Sequence, residues 1–271
     1  MTADRYEDDF DIAMFVRDLR RQIQENGGTL TTILGNHDHE GVNFITNGLG
    51  GNLKQIHKQS IRGIFELGRF LELAPSTLDI DQFFAARKAD TDYLKRLRES
   101  EEGQALCELY GDMKLFHRID GVVFQHTPPT PSTLNAINYP HLNEEHRDAM
   151  SKVLQGEKPF AEEYHRIGWL AGVQAITCAD NRRAATPLET NCIWDEVVEN
   201  GVRTFVFGHD RNSAGLRTIQ TNLGPVTLLG CDHKFCSSAD HTFDPHALRS
   251  VAMFYPDGTV ETEINAFSNL R

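Results

Sequence analysis

Three apolar runs in this chain each end in a short polar turn that carries a histidine: Asn36-His37 after residues 29–34, His126 after residues 122–125, and His209 after residues 202–207. Imidazole nitrogens and amide oxygens are ligands for divalent ions of borderline softness. Strands of an α/β fold bring such turns to one edge of a sheet, where sites are commonly built. The spacing therefore predicts a shared metal centre with hydrolytic chemistry.

Helical and strand patterns alternate around these turns, so the sequence predicts an α/β fold. A helix with apolar residues at helical spacing precedes the strand 29–34 and stops at Gly27-Gly28. A β-hairpin is predicted around Asp120-Gly121. The pattern further predicts helices at 143–154, 159–175 and near 191–198, and strands at 202–207, 226–229, 248–254 and 260–264. We predict a single domain over 1–271, with a helical insertion or cap at 41–112.

Composition removes several classes of function. The chain has 271 residues and a formal net charge of −12, from 39 acidic and 27 basic residues, which argues against a broad nucleic-acid footprint. It lacks an apolar run of about 18 residues, so we expect no membrane span. Five cysteines without a paired spacing favour a reducing compartment, so we expect a cytoplasmic protein.

The polar turns occur in an order that resembles a known family. Gly35-Asn36-His37-Asp38, then His126, then Gly208-His209 are similar to three of the five metal-binding blocks of the calcineurin-like metallophosphoesterases. The resemblance implies a four-layer sandwich of two mixed sheets flanked by helices. It also implies that a complete member holds two divalent ions, of manganese, iron or zinc, and hydrolyses phosphomonoesters or phosphoanhydrides through a metal-bound hydroxide.

The resemblance also assigns roles to individual residues. Asn36, His126 and His209 are implied to be ligands of one metal ion. His37 is implied to protonate the leaving oxygen, opposite the attacking hydroxide.

The start of the chain departs from the family pattern. Asp4-Arg5 is similar to the end of the block Gly-Asp-x-x-Asp-Arg, which makes Asp4 the acidic partner of His37 and Arg5 a phosphate clamp. The ligands that the family supplies before this point, Asp-x-His and Gly-Asp, do not precede it. We expect an N-terminally truncated chain that lacks the first strand of the sandwich, binds at most one metal ion and hydrolyses little. The alternative is a non-catalytic phosphate-binding or scaffold homologue.

The last block departs as well. Arg211 stands where many relatives have a second histidine. The protein-phosphatase-like and diadenosine-polyphosphate-hydrolase-like branches lack that histidine, and this chain resembles them. We take Arg211 as a residue that binds the phosphorylated substrate, with Arg182 and Arg183 as further candidates, because a guanidinium pairs with two phosphate oxygens. Substrate identity and oligomeric state stay open.

Overall fold

The computed structural model describes residues 9–47, 64–65, 71–72, 91–129, 133–134, 137–139, 141–157, 162–163, 191–209, 215–231, 250–254 and 260–264. The chain divides into two compact units. The first comprises Met1–Leu115 and Pro140–Thr177, and the second comprises Phe116–Tyr139 and Cys178–Arg271. One domain with an insertion at 41–112 stays a prediction.

Helices dominate the described part of the first unit: α1 (Asp9–Glu25), α2 (Asn36–Asn47), α3 (Thr91–Glu99), α4 (Glu101–Asp112) and α5 (Leu142–Leu154). The predicted end of α1 is confirmed. Gly27 has a φ of 77°, and the amides of Gly27 and Gly28 donate to the carbonyls of Gln24 and Ile23, which is a Schellman cap. Ser100 caps α4 by accepting a hydrogen bond from the Gly103 amide at 3.0 Å.

The strand predicted at 29–34 is reduced to a single parallel bridge between Ile33 and Lys114. The Leu34 amide donates to the Lys114 carbonyl at 2.9 Å, and the Lys114 amide donates to the Thr32 carbonyl at 2.9 Å. The segment is extended but pairs over too short a length to form a strand. It leads directly to Gly35 and the start of α2.

α2 is held at its middle and at its C-terminal end. Gly41 lies so close to Tyr110 of α4 that a Cβ on residue 41 would stand 2.6 Å from the Tyr110 hydroxyl oxygen. Arg98 of α3 donates to the Ile45 carbonyl at 2.6 Å and to the Thr46 carbonyl at 3.4 Å. A cation on the last carbonyls of a helix satisfies their unpaired acceptors and stabilises the helix dipole.

The second unit contains α6 (Asn191–Glu199) and a mixed five-stranded sheet, so the α/β prediction is confirmed. The strands are β1 (Phe116–Ile119), β2 (Val122–Gln125), β3 (Thr204–Phe207), β4 (Gly215–Thr221) and β5 (Gly224–Gly230), in the order β1-β2-β3-β5-β4. The central strands β2, β3 and β5 are parallel, and the outer strands β1 and β4 are antiparallel to their neighbours.

The predicted hairpin of β1 and β2 is confirmed, with Phe116 opposite Gln125. β6 (Ser250–Phe254) and β7 (Val260–Ile264) form a separate antiparallel pair. The sequence prediction did not include β4. Among the helices that the structure describes, none is long and apolar enough to cross a membrane.

The close approach of α2 to α4 makes Gly41 sensitive to substitution. Alanine normally favours a helix over glycine by up to about 1 kcal/mol, but overpacking costs about 1–3 kcal/mol. Because Tyr110 is only 2 % exposed, we expect Gly41→Ala to lower the free energy of unfolding measured by urea denaturation.

Gly111 of α4 is a matched control, since a Cβ there would meet the Leu154 Cδ1 atom at an ordinary 3.6 Å. We expect Gly111→Ala to be neutral or stabilising. A double-mutant cycle with Tyr110→Phe should recover part of the loss at Gly41. Equal stabilisation by both alanines would contradict the proposed clash.

Candidate functional site

The carboxyl ends of β2 and β3 bring two of the predicted ligands together. The strands are in parallel register, with Gln125 opposite Phe207, so His126 and Gly208-His209 leave the sheet side by side. The Gly208 amide continues the ladder by donating to the His126 carbonyl at 3.0 Å. The turn after β2 is fixed by the Gln125 side chain, whose Nε2 donates to the Thr127 carbonyl at 2.7 Å.

The imidazoles of His126 and His209 form a pair. Their ring centroids are 4.7 Å apart and their planes are inclined by 52°. His209 has a φ of 67°, in the left-handed region that residues other than glycine adopt rarely. Backbone strain of this kind concentrates at functional sites, where it directs a side chain that regular backbone would turn elsewhere.

The third parallel strand adds one more residue to this edge. Cys231 follows β5, and its amide donates to the Phe207 carbonyl at 2.7 Å. Cys231 is exposed. The sequence prediction placed no role on this residue.

Two neighbouring imidazoles fit a divalent cation in their donor chemistry, since imidazole is a common ligand of zinc, iron and copper. Over the described residues, no group of three or more histidine, cysteine, aspartate or glutamate side chains is arranged to hold a metal. The ligand set implied by the family contains only two residues of those types, because its third member is the amide of Asn36. Cation binding by His126 and His209 therefore stays a prediction.

Asn36 and His37 belong to the first unit, where they occupy the first two positions of α2. Gly35 is the residue before the helix, and the His39 amide makes the first helical hydrogen bond to the Gly35 carbonyl at 3.0 Å. The Asp38 carboxylate accepts a hydrogen bond from the Gly35 amide at 2.9 Å. This is one half of a capping box, in which the third helical residue binds back to the residue that begins the helix.

An acidic side chain other than the predicted one lies beside His37. The Nδ1 atom of His37 is 4.0 Å from the Oε2 atom of Glu40, and Glu40 is only 8 % exposed. The spacing of three residues on a helix places the two side chains on one face. Sequence reasoning missed Glu40, although that spacing within α2 was the signal that could have found it.

Several predicted site residues lie outside the part of the chain that the structure describes: Asp4, Arg5, Arg182, Arg183 and Arg211. Asp4 as the partner of His37 and the arginines as phosphate clamps stay predictions.

Two buried histidines of the first unit, one in α2 and one in α5, interact with each other. His39 is 3 % exposed, and His146 of α5 is 1 % exposed. Burial, reinforced by the neighbouring His146, lowers the pKa of His39 to about 3, against an opposing effect of Asp38. Burial alone lowers the pKa of His146 to about 4. Neither ring nitrogen of His146 has a hydrogen-bond partner within the described structure.

These histidines predict acid sensitivity. Because the pKa of His146 is lowered from 6.5 to about 4 in the folded chain, the unfolded chain binds a proton that the folded chain does not. Above pH 6.5 these histidines do not affect the free energy of unfolding. Between pH 6.5 and about 4, each of them lowers the free energy of unfolding by about 1.4 kcal/mol per pH unit as the pH falls.

We therefore expect His146→Leu to remove about 2 kcal/mol of the loss in stability between pH 6.5 and 5. Urea denaturation followed by circular dichroism at several pH values measures this difference. His141→Leu, at an exposed histidine of the same unit, is the control. An unchanged pH dependence in His146→Leu would contradict the assignment.

Comparison with known proteins found no match, since no family model fits the chain and neither a curated protein nor a solved structure is similar to it at a significant level.

Proposed function

We propose that the chain is a metal-dependent phosphoesterase that hydrolyses phosphomonoesters or phosphoanhydrides. The observation that carries the proposal is the pairing of His126 and His209 at the carboxyl edge of the parallel strands. The positive φ of His209 adds support, because this backbone directs an imidazole that the strand alone would not direct there. The order of the three polar turns along the chain supports the same function through the family resemblance.

His126 and His209 would hold a cation, with the amide oxygen of Asn36 as the third ligand that the resemblance implies. The donor set of imidazole and amide suits manganese, iron or zinc. When bound, the cation supplies charge neutralisation of the phosphoryl group and an activated water.

His37 would donate a proton to the leaving oxygen. His37 directly follows Asn36, the first of the implied metal ligands along the chain. Both residues lie in the first turn of α2, which restricts the backbone of His37. Glu40, whose Oε2 atom lies 4.0 Å from the His37 Nδ1 atom, would help to hold the imidazole in place. The proposal includes the fold that the resemblance implies, a four-layer sandwich of two mixed sheets between helices.

Metal binding by the wild-type chain tests the proposal directly. After removal of metals with a chelator, titration with Mn²⁺ or Zn²⁺ should show one cation per chain, in both calorimetry and elemental analysis. We expect His126→Ala and His209→Ala each to weaken the affinity by more than the roughly 10- to 100-fold that loss of an outer hydrogen-bond partner costs.

His117→Ala is the matched control, because His117 lies in the same sheet on β1, opposite Phe124 in mid-strand. We expect this variant to bind as the wild type does. Absence of binding by the wild type, or an equal loss in all three variants, would reject the metal site.

The role of His37 is tested by the leaving group. With Mn²⁺ present, we expect His37→Gln to lower the hydrolysis of phenyl phosphate by about 100-fold or more, since general acid catalysis contributes roughly 10²–10⁴-fold. Hydrolysis of 2,4-dinitrophenyl phosphate should fall far less, because its leaving group needs no proton. An equal loss on both substrates would remove His37 from the acid role.

A further inference from the structure

We propose that Asp38 is the positioning residue of the candidate site: its buried carboxylate holds the turn that presents Asn36 and His37. The proposal rests on the proposed function for the roles of those two side chains. It rests on the structure for the contact that Asp38 makes. Sequence reasoning gave Asp38 no role of its own.

The environment of Asp38 is unusual for a carboxylate. Its relative exposure is 0 %, and aspartate is rarely found fully buried without hydrogen-bond partners or an ion pair. Its Oδ2 atom accepts a hydrogen bond from the Gly35 amide at 2.9 Å, within a buried environment. A charged acceptor makes such a bond shorter and stronger than a neutral one, and the low local dielectric strengthens it further.

This contact fixes the peptide groups around Gly35 from both sides. The Gly35 carbonyl accepts from the His39 amide at 3.0 Å, while the Gly35 amide donates to Asp38. On the other side of Gly35, the Leu34 amide is bound to the Lys114 carbonyl at 2.9 Å. The backbone entering and leaving Gly35 is therefore held, and the directions of the next two side chains follow from it.

Asp38 lies in the first turn of α2, so its carboxylate also acts on the N-terminal end of the helix. A negative charge in the first turn also interacts favourably with the helix dipole, so Asp38 stabilises the N-terminal end of α2 in two ways. Arg98 performs the equivalent task at the other end, where it binds the Ile45 carbonyl. One helix thus has a charged side chain at each end, and only one of them adjoins Asn36 and His37.

Two variants at Asp38 and one at Arg98 separate positioning from simple stabilisation of α2. Asp38→Ala removes the acceptor, Asp38→Asn keeps an acceptor oxygen of the same reach without the charge, and Arg98→Gln loosens the opposite end of the helix. All are made in the full chain. Two readouts are taken: hydrogen exchange of the Gly35 amide by NMR, and Mn²⁺ affinity by calorimetry.

We expect Asp38→Ala to speed exchange of the Gly35 amide and to weaken Mn²⁺ binding by about 10-fold or more, as loss of an outer partner does. Asp38→Asn should change both readouts in the same direction but by less, because it keeps an acceptor without the charge. Arg98→Gln should lower thermal stability while leaving both readouts at wild-type values. If Asp38→Ala does not fold, the comparison of Asp38→Asn with Arg98→Gln decides, with faster Gly35 exchange expected only in Asp38→Asn.

The proposal is overturned if Gly35 exchange is unchanged in both Asp38 variants, or if Arg98→Gln alters exchange and affinity as much as Asp38→Ala does. Failure of the wild-type chain to bind Mn²⁺ rejects the proposed function instead. In that case the exchange rates of Gly35 alone decide whether Asp38 holds the turn.

Discussion

Parallel pairing of β2 with β3 is the interaction on which the candidate site depends. Because the two strands run in the same direction and in register, their carboxyl ends stop at the same level, and the residues that follow each strand become neighbours. Eighty-three residues separate His126 from His209 along the chain, yet one backbone hydrogen bond, from Gly208 to His126, joins the two turns. Antiparallel pairing would have placed these turns at opposite edges of the sheet.

Sequence reasoning recovered the elements whose burial is periodic or continuous. β2, β3 and β5 carry buried apolar residues such as Val123, Phe205 and Leu228, and each was predicted. β4 was missed because it is an outer strand: Leu216, Arg217, Thr218 and Gln220 are exposed and only Ile219 is buried, so no alternation marks it. The opposite error occurred at 29–34, where a β-prone composition was present but a pairing partner was found only at Lys114.

The candidate site was predictable to a similar degree. Motif order identified Asn36, His37, His126 and His209, and the structure pairs the last two. The supporting carboxylates were not identified. Asp38 acts by accepting a hydrogen bond from a backbone amide three residues earlier. Glu40 lies beside His37 because the two are three residues apart on a helix. Both roles could be inferred only with the knowledge that α2 begins at Asn36. A helix that buries Asp38, His39, Glu40 and Asn43 conflicts with the usual apolar core pattern, and such conflicts are expected at functional sites.

The left-handed backbone of His209 has a consequence for engineering. A residue other than glycine, asparagine or aspartate is strained at a φ of 67°, by roughly 1–2 kcal/mol for the left-handed conformation. Replacing this histidine by glycine or asparagine relaxes the loop even as it deletes the imidazole. Selection for thermal tolerance alone would therefore favour loss of the side chain, and a heat-adapted variant without it would gain stability while losing a candidate metal ligand.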